Sequence, residues 1–345
     1  GVTYLAGSDA KMPGYADWLP HAKANGVDSR LMDAGEVAAA FPGLSKSYAG
    51  ALVTPSDMRA EPWVAVPALA ALAAKEGVRI IENCAVRKLD LAAGRVAGVV
   101  TEAGAIRTTS VVLAGGAWSA LFLRAHGVSL PQLSVRESVL ATNVLPEVHA
   151  GAAAEAGLAF RRRADGGYTL APGGRPDLYV GPDAFRALRH YLPQLRQSPF
   201  GQRLRAAAPR GFPDAWRTPR NWAADAHSPF EAMRILDPMP DHRALRRARK
   251  RFAALYPDLP PVTARASWAG MIDVMPDMVP VVDTCAQIPG LVIGTGMSGH
   301  GFGIGPAMGR VLAALVMGDA PGHDLNRFRA DRFSDGSAIR LGPTL

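Results

Sequence analysis

The glycine-rich stretch near the carboxyl end restricts this chain to few folds. The apolar run Leu291–Ile293 leads into six glycines between Gly294 and Gly305, and Pro306 follows them. Glycine lets a backbone turn sharply and approach a flat ligand closely. Proline at a first helical position leaves the neighbouring N–H groups free for an electron-rich or anionic group. The pattern predicts a strand, a ligand-binding turn and a helix opened by Pro306.

The composition is that of an ordinary globular chain. Its 345 residues are 48% hydrophobic and 20% charged, enough for one large domain or two interleaved ones. No uninterrupted apolar run reaches the roughly 20 residues that a membrane helix needs. The formal charge is +8, but the arginine clusters do not alternate with aromatics, which argues against a nucleic-acid surface. Cys84 and Cys285 are too few for a metal cluster or a disulfide framework, so we expect no metal site and a cytoplasmic location.

Residues 57–118 are predicted to form part of a parallel α/β sheet. A helix opened by Pro62 and ended by Gly77 is followed by a strand over 78–81, and a last strand over 111–114 ends in glycines. Between these two strands the pattern predicts a three-stranded meander, with strands at 85–90, 96–101 and 106–109. Because ligands bind at the carboxyl ends of parallel strands, this stretch predicts half of a nucleotide-binding fold.

Residues 125–290 have a different pattern, in which strands and helices are separate. Strands are predicted at 133–141 and 160–170, the second as a hairpin, and helices at 183–197 and 241–256. Residues 206–240 have no clear period and are expected to be irregular. This order predicts an antiparallel sheet with helices on one side, so the whole chain is expected to combine α/β with α+β architecture.

The chain resembles the D-amino-acid oxidase superfamily of FAD-dependent oxidoreductases, which includes glycine oxidase, sarcosine oxidases and D-amino-acid dehydrogenases. The resemblance rests on Val-Leu-Ala-Gly-Gly-Ala-Trp-Ser at 112–119 and on Gly-Met-Ser-Gly-His-Gly-Phe-Gly-Ile-Gly-Pro at 296–306, together with Met-Pro-Asp at 275–277. It implies a Rossmann-like FAD-binding domain with a β-meander, interleaved with an antiparallel-sheet substrate domain. We expect the FAD-binding domain at 48–124 and 288–320, the substrate domain at 1–47 and 125–287, and a tail at 321–345.

One element of the family pattern is missing from this sequence. No Gly-x-Gly-x-x-Gly fingerprint lies between an early strand and a helix, and its βαβ unit needs roughly 30 or more residues. We therefore expect an incomplete FAD-binding domain. Either the chain is a fragment that lacks an N-terminal segment, or a second polypeptide supplies that unit.

Carried over by position, the resemblance implies non-covalent FAD held by three segments. The implied contacts are Val86; Ala114, Gly115, Gly116 and Trp118; and Gly299, His300, Gly301, Phe302, Gly303 and Ile304. Monomeric sarcosine oxidases attach their flavin through a cysteine at the position of Gly270, so covalent attachment there is excluded. Independently of the family, a helix amino end with free N–H groups stabilises the negative charge of a reduced flavin.

The substrate site departs from the family pattern. The arginine that grips the substrate carboxylate in many members corresponds to Ile272. Arg265 and Arg136 are the candidates to replace it, and the alternative for each is a surface ion pair. Asp273 would favour a cationic amine, or it caps a turn. His300 is the catalytic candidate, as a hydrogen-bonding partner of cofactor or substrate, or it caps a loop.

The resemblance implies FAD-dependent oxidation of a small-molecule amine. The expected substrate is a D-amino acid or a secondary N-substituted amino acid, which passes a hydride to flavin N5 and becomes an imine. Oxygen, a quinone and a carrier protein are all open as the electron acceptor. The alternative is a non-catalytic product or subunit without stable FAD binding.

Overall fold

A computed structural model describes residues 1–199 and 201–342. The strands in chain order are β1 (Val2–Ala6), β2 (Arg30–Asp33), β3 (Gly50–Thr54), β4 (Val86–Ala92), β5 (Arg95–Thr101), β6 (Gly104–Arg107), β7 (Val111–Leu113), β8 (Leu133–Thr142), β9 (Ala152–Glu155), β10 (Leu158–Arg162), β11 (Tyr168–Pro172), β12 (Asp177–Tyr179), β13 (Arg203–Arg205), β14 (Ala264–Val274), β15 (Val281–Thr284) and β16 (Leu291–Thr295). The helices are α1 (Met12–Ala24), α2 (Ala34–Ala40), α3 (Pro62–Lys75), α4 (Ser119–Arg124), α5 (Pro182–Gln197), α6 (Pro229–Ala232), α7 (His242–Leu255) and α8 (Gly301–Met317).

The chain forms two compact units, each made of separate stretches of sequence. The first contains residues 1–79, 137–174 and 238–269, and the second contains the described residues of 80–136, 175–237 and 270–345. Strands β8 and β14 each contribute residues to both units. The mixed α/β and α+β composition that the sequence predicts is confirmed.

The first unit is built on a sheet in the order β2, β3, β1, β9, β10 and β11. Neighbouring strands are antiparallel, except that β1 and β9 run parallel. Helix α7 packs on this sheet, with the ring centroid of Phe252 5.3 Å from that of Phe160 and 5.0 Å from that of Tyr168. Alternate residues of the strands and the apolar stripe of α7 thus share one core, as the sequence predicts.

The second unit contains the sheet that places the candidate site. Its order is β15, β16, β7, with β7 and β16 parallel. The meander β4, β5, β6 forms a separate antiparallel sheet, which confirms the prediction. The residues just before β16 are hydrogen-bonded to both sheets. Val96 N–H in β5 donates to the Pro289 carbonyl at 2.9 Å, and Val111 N–H in β7 donates to the Gly290 carbonyl at 2.8 Å.

The predicted strand over residues 78–81 is wrong. The structure has no strand there, and Val78, Ile80 and Ile81 are 54%, 51% and 54% exposed. A short apolar run becomes a strand only when a neighbouring strand takes its N–H and C=O groups. Among the described residues no strand pairs with this run.

Helix α3 forms as predicted from Pro62, but its apolar side is exposed. None of its residues is buried, and Trp63 and Leu69 are 71% and 63% exposed. A helix in a globular protein is normally stabilised by packing its apolar side against the rest of the protein, which buries that side. The first unit therefore displays an apolar surface along α3.

The close approach of β6 to Gly98 gives a test of the meander. A Cβ atom at Gly98 would lie 2.4 Å from the Ile106 carbonyl oxygen. We expect Gly98→Ala to lower the free energy of unfolding by about 1–3 kcal/mol, because the two strands must separate. Denaturant unfolding measures the change.

The matched control for this variant is Gly309→Ala in α8. A Cβ there meets no atom within 4 Å, so this variant should be neutral or stabilised by up to about 1 kcal/mol. Equal stability of the two variants would contradict the observed strand spacing.

Candidate functional site

A buried strand and a glycine turn place the amino end of α8 in the second unit. All five residues of β16 are buried, and the chain turns through residues 296–300 before α8 begins. Gly296 and Gly299 have φ values of +72° and +89°, a region that L side chains rarely adopt. Ser298 has a φ of +50° although it carries a side chain. The turn therefore has a specific and partly strained backbone.

The helix after this turn begins earlier than the sequence predicts. We expected Pro306 to open it, whereas α8 begins at Gly301 and contains Pro306. The amides of Gly303 and Ile304 donate to the His300 carbonyl at 3.1 and 3.2 Å, which closes the first turn ahead of the proline. The prediction is wrong because the His300 carbonyl accepts the first helical hydrogen bonds, so that α8 begins in the glycine-rich segment before Pro306. The missing N–H of Pro306 then removes one bond near the helix start.

The amino end of α8 presents amides that a ligand can use. The first N–H groups of any α-helix lack an intrahelical partner, and here they include those of Gly301 and Phe302. His300 is the N-cap residue, and its exposed side chain makes no capping hydrogen bond. The free amides and the helix dipole favour an anionic or electron-rich group. The predicted contacts at 299–304 thus lie together at one helix terminus.

A second glycine turn follows β7 in the same unit. Gly116 has a φ of +52°, and the Trp118 amide donates to the Gly115 carbonyl at 3.0 Å, so the chain closes a tight turn before α4. The Trp118 ring packs edge-on against Phe230, with ring centroids 5.5 Å apart. The predicted contacts Ala114, Gly115, Gly116 and Trp118 therefore surround one strand end.

A cavity of about 570 Å³ opens beside this second turn. The volume lies in the range of small-molecule and cofactor sites. Three of the predicted cofactor residues line it, namely Val86, Gly115 and Trp118. The lining residues that sequence analysis did not assign to the cofactor fall into two groups. Some belong to β5, β7 and α4: Val99, Val111, Val112, Leu113 and Phe122. The others come from the loop before β4 and from the segment around α6: Ile81, Glu82, Asn83, Cys84, Ala85, Phe230, Met233, Arg234 and Ile235. These mainly apolar walls, with a glycine at the strand end, fit a flat nucleotide cofactor.

Two ion pairs hold the segment around α6 against the meander. Arg87 binds both carboxylate oxygens of Glu231, at 2.6 and 3.0 Å, and lowers the pKa of that carboxyl to about 2. Arg234 binds Glu102 at 2.5 and 2.6 Å and likewise lowers the pKa of Glu102 to about 2. We call residues 228–235 the cavity wall. A capping box at Ser228 and Glu231 was the one sequence signal for it.

The proposed substrate residues all have protein partners. Arg265 forms an ion pair with Asp165 at 3.0 Å in the first unit. In the second unit, Arg136 forms an ion pair with Asp177 and lies over the Tyr179 ring. Asp273 Oδ2 accepts a hydrogen bond from the Gly296 amide at 2.6 Å. A substrate carboxylate that binds Arg265 or Arg136 would therefore have to displace the aspartate already paired with that arginine.

Neither a metal site nor a membrane-spanning helix is present in the part of the chain that the structure describes. Over residues 1–199 and 201–342, no group of three or more His, Cys, Asp or Glu side chains is placed to hold a metal ion. Over the same ranges, no helix combines the length and the apolar character required to cross a bilayer.

The sequence model of the DAO family, described as FAD dependent oxidoreductase, matches residues 1–315. The D-amino acid dehydrogenase of Paramagnetospirillum magneticum is 28% identical over 286 residues, which are 83% of this chain and 55% of that protein. Human mitochondrial sarcosine dehydrogenase is 29% identical over 148 residues, which are 41% of this chain and 16% of that protein. The matched part of the chain thus spans about half the length of the first relative and a smaller part of the second.

A solved structure extends the likeness to the fold. The L-amino acid deaminase from Proteus vulgaris has a TM-score of 0.88 and 28% sequence identity to this chain. The match covers 96% of this chain and 78% of that one.

The glycines of α8 give a test of where FAD lies. A Cβ at Gly303 meets no atom within 4 Å, whereas a Cβ at Gly301 lies 3.0 Å from the Met297 Cβ. Gly303 is thus the position where an added side chain enters open space rather than the protein. We expect Gly303→Val to weaken FAD binding about tenfold or more, the equivalent of one lost close contact, without lowering the thermal midpoint. Titration with FAD, followed by flavin fluorescence, measures the dissociation constant.

Gly309→Val is the matched control for this test. It adds the same side chain to the same helix, also into open space, six residues further from the amino end of α8. FAD affinity should match that of the wild type. If the two variants lost affinity equally, the amino end of α8 would not be the flavin contact.

Proposed function

Because the chain belongs to the FAD-dependent oxidoreductase family, we propose that it oxidises the amine of an amino acid. The observation that carries this proposal is the pair of glycine turns in the second unit. The turn after β7 opens onto the cavity, and the turn after β16 leads to the free amides of α8. Both turns end strands of one parallel pair, the place where such sheets bind ligands. FAD, when bound, supplies the acceptor for the hydride that leaves the substrate C–H bond.

We assign the cofactor contacts by segment. The backbone at Val86 would contact the adenine, and the turn at 114–116 would hold the ribose and pyrophosphate, with Trp118 packed beside it. Residues 299–304 would hold the isoalloxazine, where the amides of α8 would stabilise negative charge. Gly270 provides no side chain for a covalent bond, which supports non-covalent binding.

The proposed substrate is a D-amino acid or a secondary N-substituted amino acid. Relatives named for D-amino acids and sarcosine support this class, and the likeness to an L-amino acid deaminase brings the L enantiomers into the test. Arg265 or Arg136 would take the substrate carboxylate. Asp273 would reach the amine through Oδ1, since Oδ2 accepts from Gly296.

His300 is proposed to hydrogen-bond the cofactor or the substrate rather than to act as a required base. Its side chain is exposed at the start of α8, where it does not cap the helix. A substrate amine that binds neutral already has its lone pair, so no residue has to remove a proton before the C–H bond breaks. The imine that results hydrolyses in water. The tasks of the chain are alignment of the substrate and exclusion of water.

We also propose that a dinucleotide-binding unit outside these residues completes the site. Strand β7 lies at the edge of its sheet, and Val112 at its centre is 41% exposed. An exposed apolar edge of a parallel sheet is suited to pairing with another strand. That strand would come from an earlier segment of the same polypeptide or from a second polypeptide. The free thiols Cys84 and Cys285 support a cytoplasmic location.

The decisive experiment combines flavin content with a substrate screen. The chain, alone and extended by its upstream coding sequence, is purified with added FAD and tested with a redox dye. The screen contains D-amino acids, L-amino acids and N-methyl amino acids. We expect a flavin absorption spectrum and dye reduction with the D-amino acids or the N-methyl amino acids. The matching hydroxy acids, which lack the amine, should reduce no dye because they cannot form an imine.

Two outcomes would decide against this proposal. If the flavin-loaded protein oxidised the hydroxy acids but none of the amines, its substrate would be an alcohol, and the proposed amine oxidation would be wrong. A folded protein that takes up no flavin in either form would favour the non-catalytic alternative.

A further inference from the structure

We propose that Gln132 and Asp273 are positioning residues, which fix the two glycine turns of the second unit relative to each other and so set the affinity for FAD. The inference rests on the proposed function, because it assumes that both turns contact the cofactor. The sequence did not single out Gln132, and it offered Asp273 as a contact for a cationic amine or as the cap of a turn. In this role each side chain acts through the backbone that it holds, which for Asp273 is separate from the contact proposed above between its Oδ1 and the substrate amine.

Asp273 shapes the turn after β16. Its Oδ2 accepts from the Gly296 amide at 2.6 Å, and its backbone carbonyl accepts from the Ser298 amide at 3.0 Å. Two residues later, the Met275 amide donates to Ser298 Oγ at 3.3 Å, and that hydroxyl donates to the Gly296 carbonyl at 3.0 Å. The end of β14 therefore holds the turn on both sides of position 297.

Gln132 connects this turn to the one after β7. Its side chain is buried, with 4% of the residue exposed, and its amide group has a partner for each polar atom. The Oε1 atom accepts from the Ala120 amide at 3.0 Å, while Nε2 donates to Thr295 Oγ1 at 2.7 Å and to Asp273 Oδ2 at 3.1 Å. Thr295 Oγ1 in turn lies 3.2 Å from the Gly116 carbonyl oxygen. One buried amide thus joins α4, the Gly116 turn, β16 and β14.

The turn needs such support because its backbone is strained. Ser298 has a positive φ and is buried, and Gly296 lies so close to Met275 that a Cβ would be 2.3 Å from the Met275 Cγ. A non-glycine residue keeps this conformation when the surrounding contacts impose it. Without those contacts the turn should relax, and the amides of α8 that follow it would lose their alignment.

Three substitutions separate positioning from general packing. Gln132→Met keeps the length of the side chain but removes its hydrogen bonds, and Asp273→Leu removes the carboxylate acceptor. Asp273→Asn keeps an oxygen that can accept from Gly296, so it should rescue what Asp273→Leu loses. Gln197→Met and Asp319→Leu make the same changes at exposed positions of the second unit and serve as controls.

The first measurement is amide hydrogen exchange of the segment 294–300 in the 345-residue chain without FAD. We expect Gln132→Met and Asp273→Leu to speed exchange in this segment about tenfold or more, since each leaves buried polar groups unpaired. Asp273→Asn should stay within about threefold of the wild type, as should both controls.

The second measurement is the FAD dissociation constant of each variant, with the thermal midpoint recorded beside it. We expect the order of weakening to follow the order of exchange, and Asp273→Asn to restore affinity. Unchanged exchange in Gln132→Met and Asp273→Leu would overturn the proposal, and so would faster exchange with unchanged FAD affinity. If the wild-type chain binds no FAD, either alone or extended by its upstream coding sequence, that result counts against the proposed function, and the exchange data alone decide whether the two residues position the turn.

Discussion

The hydrogen bond between the Gly296 amide and the Asp273 carboxylate lies where the second unit ends strand β16. The chain leaves the extended conformation at this point, and the first amides of α8 follow the turn that the carboxylate contacts. The carboxylate is itself held by a buried glutamine that also contacts the Gly116 side of the unit through Thr295. Because buried polar groups are costly when unpaired, the three side chains support one another.

The exposed apolar surfaces of α3 and β7 can be explained in the same way, as surfaces suited to contact with another segment or protein. Helix α3 in the first unit buries none of its residues, and Val112 of the edge strand β7 in the second unit is 41% exposed. Isolated apolar side chains at a protein surface are ordinary, whereas a whole helix face and a strand edge are features that contacts usually cover. The sequence predicts α3 from the spacing of its apolar residues and β7 from a short apolar run. Both elements are mainly apolar, and part of that apolar surface is left uncovered.

Helices and strands that are determined by the residues of their own segment were predictable from the sequence. The meander follows from alternation and from the turn at Gly94, and α7 follows from its apolar spacing. The two errors have different causes. The run at 78–81 has no neighbouring strand within the described residues, which is a tertiary effect. The start of α8 is set locally, because the Gly303 and Ile304 amides bond to the His300 carbonyl ahead of Pro306.

The candidate site was predictable in part for the same reason. Glycine strings at strand ends identified Gly115 and its neighbours, and the cavity contains three of the expected residues. The cavity wall was missed because Arg87 and Glu231 are 144 positions apart in the chain, so nothing in the local pattern around either residue predicts their pairing. Gln132 and Thr295 are 163 positions apart and were missed for the same reason.

The charged contacts of the cavity wall have a consequence for the solution conditions in which a ligand binds. Two arginine–carboxylate pairs fasten residues 228–235 to the meander, and the side chains of Arg234 and Glu102 are 39% and 20% exposed. With both carboxyl pKa values near 2, these pairs stay ionised throughout the physiological range. Dissolved salt weakens an exposed ion pair more than a buried one. Ionic strength, rather than acidity, is therefore expected to weaken the more exposed Arg234–Glu102 pair, while the Arg87–Glu231 pair, with side chains 17% and 3% exposed, is screened much less.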